Sequence, residues 1–182
     1  MTTHEKIRAA IVGCGVIGRV HADVIHEHDG FKVTALVDVD RALAEGLADH
    51  IEKEQGEARP NIASSIAGAA AATDFDLVVV ATPSGLHVQL GLDALAAGKH
   101  LIVEKPLDVD VTRGRTLHFA AQKAATKGVV STVISQHRFD PEAVTIADAL
   151  AAGRFGRINS AVASIAWWRS QEYYDSGDWR GT

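Results

Sequence analysis

A single cysteine in 182 residues, Cys14, rules out an internal disulfide, so whatever fold forms must be held by its core. No apolar run approaches the ~18 residues that a membrane span needs. Met1 to Arg8 also lacks the basic-then-apolar layout of a signal peptide, and the expectation is a soluble, cytoplasmic protein with no membrane partner. Basic charge is not in excess: the net charge is −5 without a dominant basic block, which argues against nucleic acid as the main partner. Internal repeats and low-complexity linkers are missing too. What is present is 47% hydrophobic content, enough for one well-buried domain and part of a second.

Strand-like and helix-like segments alternate from the start, the pattern of an α/β domain with a parallel sheet. Ile7 to Val12 and Phe31 to Val37 read as strands, and between them Val16, Val20 and Val24 fall at helical spacing. A helix over 41–53, a polar loop, a short strand near Ile62 and an alanine-rich helix capped by Ser64 or Ser65 follow. Leu77 to Ala81 is continuously apolar, as in central parallel strands buried on both faces. A helix over 84–97, a strand over 101–103, a helix over 111–127 and a strand over 129–134 complete a six-stranded, doubly wound Rossmann sheet spanning 1–136. From 137 to 182 a second domain of α+β type begins. There Asp140, Pro141 and Gly153 delimit a helix, and Ile158 to Trp168 reads as a strand.

Three motifs carry chemistry. Gly13-Cys14-Gly15-Val16-Ile17-Gly18 follows the first strand and opens a helix. In that setting Gly13 permits the tight turn, Gly15 lets a pyrophosphate approach the backbone, Gly18 lets helix and strand pack closely, and the free N–H groups of the helix start face the phosphates. Cys14 reads as a small side chain, since nothing beside it in sequence would lower its pKa. Asp38 ends the second strand about 20 residues beyond Gly18, where a carboxylate accepts hydrogen bonds from the adenosine ribose and opposes a 2′-phosphate. NAD is therefore the expected cofactor. The plainer reading makes Asp38 or Asp40 a helix cap, a role that suits Asp40 better.

Thr82-Pro83-Ser84-Gly85-Leu86-His87 follows the fourth strand, at the carboxyl edge where doubly wound folds bind ligands. Pro83 and Ser84 also make a good helix start. His87, in a first helical turn, is expected to be neutral, hydrogen-bonded and a candidate cofactor contact. In Glu104-Lys105-Pro106 two charged residues end a buried strand at the same edge, a costly placement unless they are used. Both should reach the nicotinamide pocket, with Lys105 donating to a substrate hydroxyl or carrying its proton. A structural Glu–Lys pair is the alternative. His21, His26 and His28 read as helix-surface or packing residues, and no metal site is expected.

These segments, with Arg138-Phe139-Asp140-Pro141 and Trp179-Arg180-Gly181, occur in the order and spacing of the glucose-fructose oxidoreductase, inositol dehydrogenase and rhizopine-catabolism (Gfo/Idh/MocA) family, which the whole chain resembles. The resemblance implies a Rossmann domain followed by a carboxyl-terminal domain with a large open sheet, and NAD-dependent redox chemistry on hydroxyls of sugars, inositols, nucleotide sugars or related compounds. It makes Lys105 the catalytic-site lysine. It places Trp179 and Arg180 over the nicotinamide and substrate; Arg138 either lines the site or pairs with Asp140. The family continues beyond the equivalent of Thr182 into a histidine-bearing helix that completes a proton relay, and neither His118 nor His137 matches that histidine. The chain therefore reads as an amino-terminal fragment, inactive by itself and associating as a homo-oligomer through its carboxyl-terminal sheet. Two other readings stay open: a dinucleotide-binding module without chemistry, and an NAD-dependent glycosidase of the same family.

Overall fold

The fold grows outward from two strands whose every inner residue is apolar. In a computed structural model that describes residues 5–176, β1 (Ile7–Val12) and β4 (Leu77–Val80) lie side by side in parallel at the centre of one sheet. All four residues of β4 and the last four of β1 are buried. Successive side chains of a strand point to opposite faces. Ala10, Val12, Val78 and Val80 accordingly enter one core, while Ala9, Ile11, Leu77 and Val79 enter the other. Full burial of a Val or Ile side chain stabilises by roughly 1.5–3 kcal/mol. A polar substitution at these central positions therefore costs far more than one at the rim.

Outward from β1 come β2 (Phe31–Val37) and β3 (Asn61–Ala63); outward from β4 come β5 (His100–Val103) and β6 (Ser131–Val133). The order is β3-β2-β1-β4-β5-β6 with every pairing parallel, the doubly wound Rossmann arrangement. Helices α1 (Val16–Glu27) and α2 (Arg41–Lys53) cover one face; α3 (Ile66–Ala72), α4 (His87–Ala96) and α5 (Val111–Ala125) cover the other. Side chains start these helices where they should. Asp40 accepts from the Ala42 N–H, Ser65 from Gly68 and Asp110 from Thr112 and Arg113.

At the amino edge of the sheet the strands are tied by charge. The Arg8 guanidinium meets both oxygens of Asp76, whose second oxygen also accepts from the Arg8 backbone N–H. That contact, first through the Arg8 side chain, holds the Asp76 carboxyl down at about 2. The carboxyl edge is instead built from loops, and the chemistry-bearing motifs gather there.

Helix α1 corrects the sequence expectation. Val16, Val20 and Val24 are exposed, Val16 at 82%, and the buried residues are Gly18, Ala22 and Ile25. Small residues win the inner face because they allow the helix to approach the sheet closely.

The chain divides into two compact units, one over 1–136 and the other over 137–182. The second holds α6 (Pro141–Ala151) and α7 (Gln171–Asp175). The strand expected at Ile158 to Trp168 does not form among the described residues. A strand needs a neighbour to satisfy its backbone donors and acceptors, and no described segment of this unit offers a matching edge. No helix among the described residues is long and apolar enough to cross a membrane.

Candidate functional site

The loop between β1 and α1 is shaped by close approach. Gly13 has φ +95, and a Cβ there would lie 2.7 Å from the Ala81 carbonyl oxygen. A Cβ on Gly18 would lie 2.0 Å from the carbonyl oxygen of Gly13. These two glycines are required by the protein itself. Gly15 is different, because a Cβ there would meet nothing within 4 Å. The bare backbone at Gly15 thus faces open space at the start of a 12-residue helix, with the amides of Val16 and Ile17 beginning its first turn. Such a cradle fits the pyrophosphate of a dinucleotide.

Asp38 locks this loop to the end of β2. Its Oδ2 accepts from the Cys14 N–H at 2.7 Å and its Oδ1 from the Asp40 N–H at 2.9 Å, while the Gly13 N–H donates to the Val37 carbonyl at 2.9 Å. An ionised carboxylate has about four acceptor positions, so two remain for ribose hydroxyls. Capping of α2 falls to Asp40, not Asp38. Cys14 is buried, and burial, followed by the charge of Asp38, pushes its thiol up to about 12. It is a packing residue.

Across the edge, Thr82 places a buried hydroxyl oxygen without a hydrogen-bond partner among the described residues. Buried hydroxyls are seldom left so, and a polar ligand at this edge would satisfy it. Pro83 precedes a 3₁₀ turn at Ser84–Leu86 that leads into α4. His87 is hydrogen-bonded, as expected, but to carbonyls of the protein itself. Its ring is buried, with 1% exposure, and both nitrogens are engaged: Nδ1 with the Pro106 carbonyl at 2.8 Å and Nε2 with the Thr82 carbonyl at 2.7 Å. The ring therefore has no nitrogen left for a cofactor. Both partners only accept, so a neutral ring satisfies one and a ring protonated at both nitrogens satisfies both. His87 straps the Thr82 segment to the Glu104-Lys105-Pro106 segment.

Sequence reasoning misses a second strap. Arg113 of α5 donates to the Gly85 carbonyl at 2.8 Å and faces Asp108 at 3.3 Å. Glu104 likewise has an unforeseen partner. Its Oε1 accepts from His21 Nε2 at 2.9 Å, its Oε2 from the Lys105 N–H at 3.2 Å, and its own N–H donates to the Val80 carbonyl at 3.0 Å. His21 is thus no simple surface residue of α1. The expected alternative of a Glu104–Lys105 side-chain pair does not form. Lys105 is exposed, and its ammonium has no hydrogen-bond or ion-pair partner among the described residues.

Gly13, Gly15, Val16, Ile17, Gly18, Asp38, Thr82, Pro83, Glu104 and Lys105 thus share the carboxyl edge of one sheet. Arg138 is in the second unit, exposed, and does not pair with Asp140; His137 does so at 2.8 Å, which its position three residues before the carboxylate permits. Trp179 and Arg180 lie outside the described residues. Among the described residues no group of three or more His, Cys, Asp or Glu side chains is placed to hold a metal ion.

Residues 7–134 match the model of an oxidoreductase family with an NAD-binding Rossmann fold. The chain is 35% identical over 156 residues to an inositol 2-dehydrogenase of Saccharopolyspora erythraea, covering 85% of this chain and 44% of that protein. It superposes on the WlbA dehydrogenase of Chromobacterium violaceum, solved with NADH and UDP-GlcNAcA, with a TM-score of 0.84 and 33% identity over 99% of this chain and 50% of that one. A scyllo-inositol dehydrogenase of Lactobacillus casei, solved with NAD(H) and scyllo-inositol, gives a TM-score of 0.72 and 27% identity over 84% of this chain and 43% of that one. The chain spans about half the length of these relatives, or somewhat less.

Proposed function

Because the chain belongs to the oxidoreductase family with an NAD-binding Rossmann fold, we propose that the whole protein is an NAD-dependent dehydrogenase of a carbohydrate-like hydroxyl. One observation carries this reading: Lys105, whose ammonium is unpaired among the described residues, stands at the carboxyl edge of the sheet that also presents the glycine cradle and Asp38. Bound NAD supplies the hydride acceptor. The residues of this chain do the rest. Backbone amides at Gly15 to Ile17 hold the pyrophosphate, and Asp38 holds the adenosine ribose. In its neutral amine form, Lys105 Nζ would take the hydroxyl proton as the hydride passes from carbon to the bound nicotinamide, leaving a ketone. Positioned proton transfer of this kind contributes typically 10²–10⁴-fold. The segment 137–182 belongs to the substrate-binding and subunit-contact part, where Arg138, Trp179 and Arg180 serve substrate or cofactor.

Within this reading the substrate is a nucleotide sugar rather than a free inositol. Of the two solved structures, the WlbA dehydrogenase matches 99% of the chain, through the second unit, and the scyllo-inositol dehydrogenase 84%. The test supplies the complete protein with NAD and either UDP-GlcNAcA or myo-inositol and follows NADH absorbance. Net NADH formation with the nucleotide sugar is expected. Formation with inositol alone would overturn the substrate class. Tight NAD binding with no turnover on either would favour a binding module, and sugar release without net NADH a glycosidase.

A further inference from the structure

Lys105 is the middle residue of a triplet whose two flanking residues are each fastened to a different part of the fold. On one side Glu104 is held by backbone to β4, through Val80, and by side chain to α1, through His21. On the other side the Pro106 carbonyl is held by the buried ring of His87. The His21 and Glu104 side chains are 17% and 16% exposed, sheltered enough for their contact to survive competition from water. A carboxylate only accepts, so His21 Nε2 is the donor, and the same carboxylate then receives the Lys105 N–H.

A lysine side chain is a long flexible stem, and what a fold can fix is the position and direction of its Cα. We propose that His21 is a positioning residue for Lys105: by orienting the Glu104 carboxylate from α1, it sets the backbone from which the lysine reaches the reacting hydroxyl. The proposal deepens the dehydrogenase reading and rests on it. It also explains why a histidine on the second turn of the cofactor helix pairs with a glutamate 83 residues away instead of facing solvent. Small errors in placement matter here, since a shift of about 1 Å at a reacting group can cost 10²-fold in rate.

The test compares His21→Leu, which removes the donor, with His21→Gln, whose amide can still donate to Glu104. Amide hydrogen exchange at Lys105 is read by NMR on the full chain, and kcat, KM and NADH affinity on the complete enzyme. In His21→Leu the Lys105 amide is expected to exchange about 10-fold faster and kcat to fall about 10-fold, with NADH affinity changed less than about 2-fold. His21→Gln is expected to recover most of both. Unchanged Lys105 exchange in His21→Leu would overturn the clamp, and faster exchange with an unchanged kcat would overturn its role in positioning. A wild-type enzyme inert toward every hydroxyl would sink the dehydrogenase reading instead, and the exchange comparison would still decide the clamp.

Discussion

Lys105 and Cys14 illustrate how environment sorts reactive side chains. Lys105 is exposed at the sheet edge, with its neighbours fixed and its own ammonium unpaired among the described residues. Lys105→Met should lower turnover of the complete enzyme by roughly two orders of magnitude or more, the scale for losing a placed proton-transfer group, with a much smaller change in NADH affinity. Near-normal turnover would reduce Lys105 to a structural role. Cys14 lies in the cofactor loop itself, yet a thiol pushed from 9.0 to about 12 by burial and then by Asp38 is thiolate about a thousandfold less often than an ordinary one. Alkylation of the folded chain at neutral pH should therefore be negligible, and denaturant should restore it. Rapid labelling of the native protein would show that the loop opens.

The β1–α1 element separates what folding requires from what binding requires. A Cβ on Gly18 collides with the Gly13 carbonyl, whereas a Cβ on Gly15 touches nothing in the chain. Gly18→Ala should cost about 1–3 kcal/mol of stability together with NAD binding. Gly15→Ala should melt like the wild type and still bind NAD at least about 10-fold more weakly, because the methyl occupies the space that the pyrophosphate approaches. Thermal melts and NADH titrations of the two variants check the contrast, and equal behaviour would refute it. At the opposite edge, the bond from Arg8 holds the Asp76 carboxyl at about 2 instead of its ordinary 3.8. The ionised form thus favours the fold above about pH 4, and that contribution is lost as pH falls from about 4 toward 2. The Asp76 side chain is 38% exposed, so screening leaves about 1 kcal/mol. Asp76→Asn should lose that amount at neutral pH and flatten the acid limb of the stability curve, as urea melts across pH would show.

At the scale of the molecule, the sheet is legible in the sequence because its signals are local. Apolar runs such as Leu77–Val80, the packing of Gly18 on Gly13 and the caps at Asp40 and Ser65 each act within a few residues. What escapes such reading depends on distance in the fold. The inner face of α1 is chosen by closeness to the sheet, which favours Gly18 and Ala22 over three larger valines that also stand at helical spacing. His21 and Glu104 meet across 83 positions, Arg113 reaches Gly85 across 28, and spacing announces neither contact. His87 stands out in the sequence, but its two carbonyl partners, which turn it from a ligand contact into a strap, emerge only when the two loops are seen together. The proposed pyrophosphate and ribose contacts, at Gly13 to Gly18 and Asp38, belong to the first unit, so the 182-residue chain should bind NAD by itself while showing no steady-state turnover. Proton transfer also needs the hydroxyl to be held against Lys105, the task assigned to the substrate-binding part. Measured turnover by this chain would show that Lys105 and its neighbours suffice. The most direct test of the whole account is calorimetric titration of this chain with NADH and with NADPH, in the wild type and in Asp38→Ala. Saturable binding at one site, tighter for NADH, is expected, with the preference eroded in the variant. No saturable binding, or NADPH binding as tightly as NADH to the wild type, would contradict it.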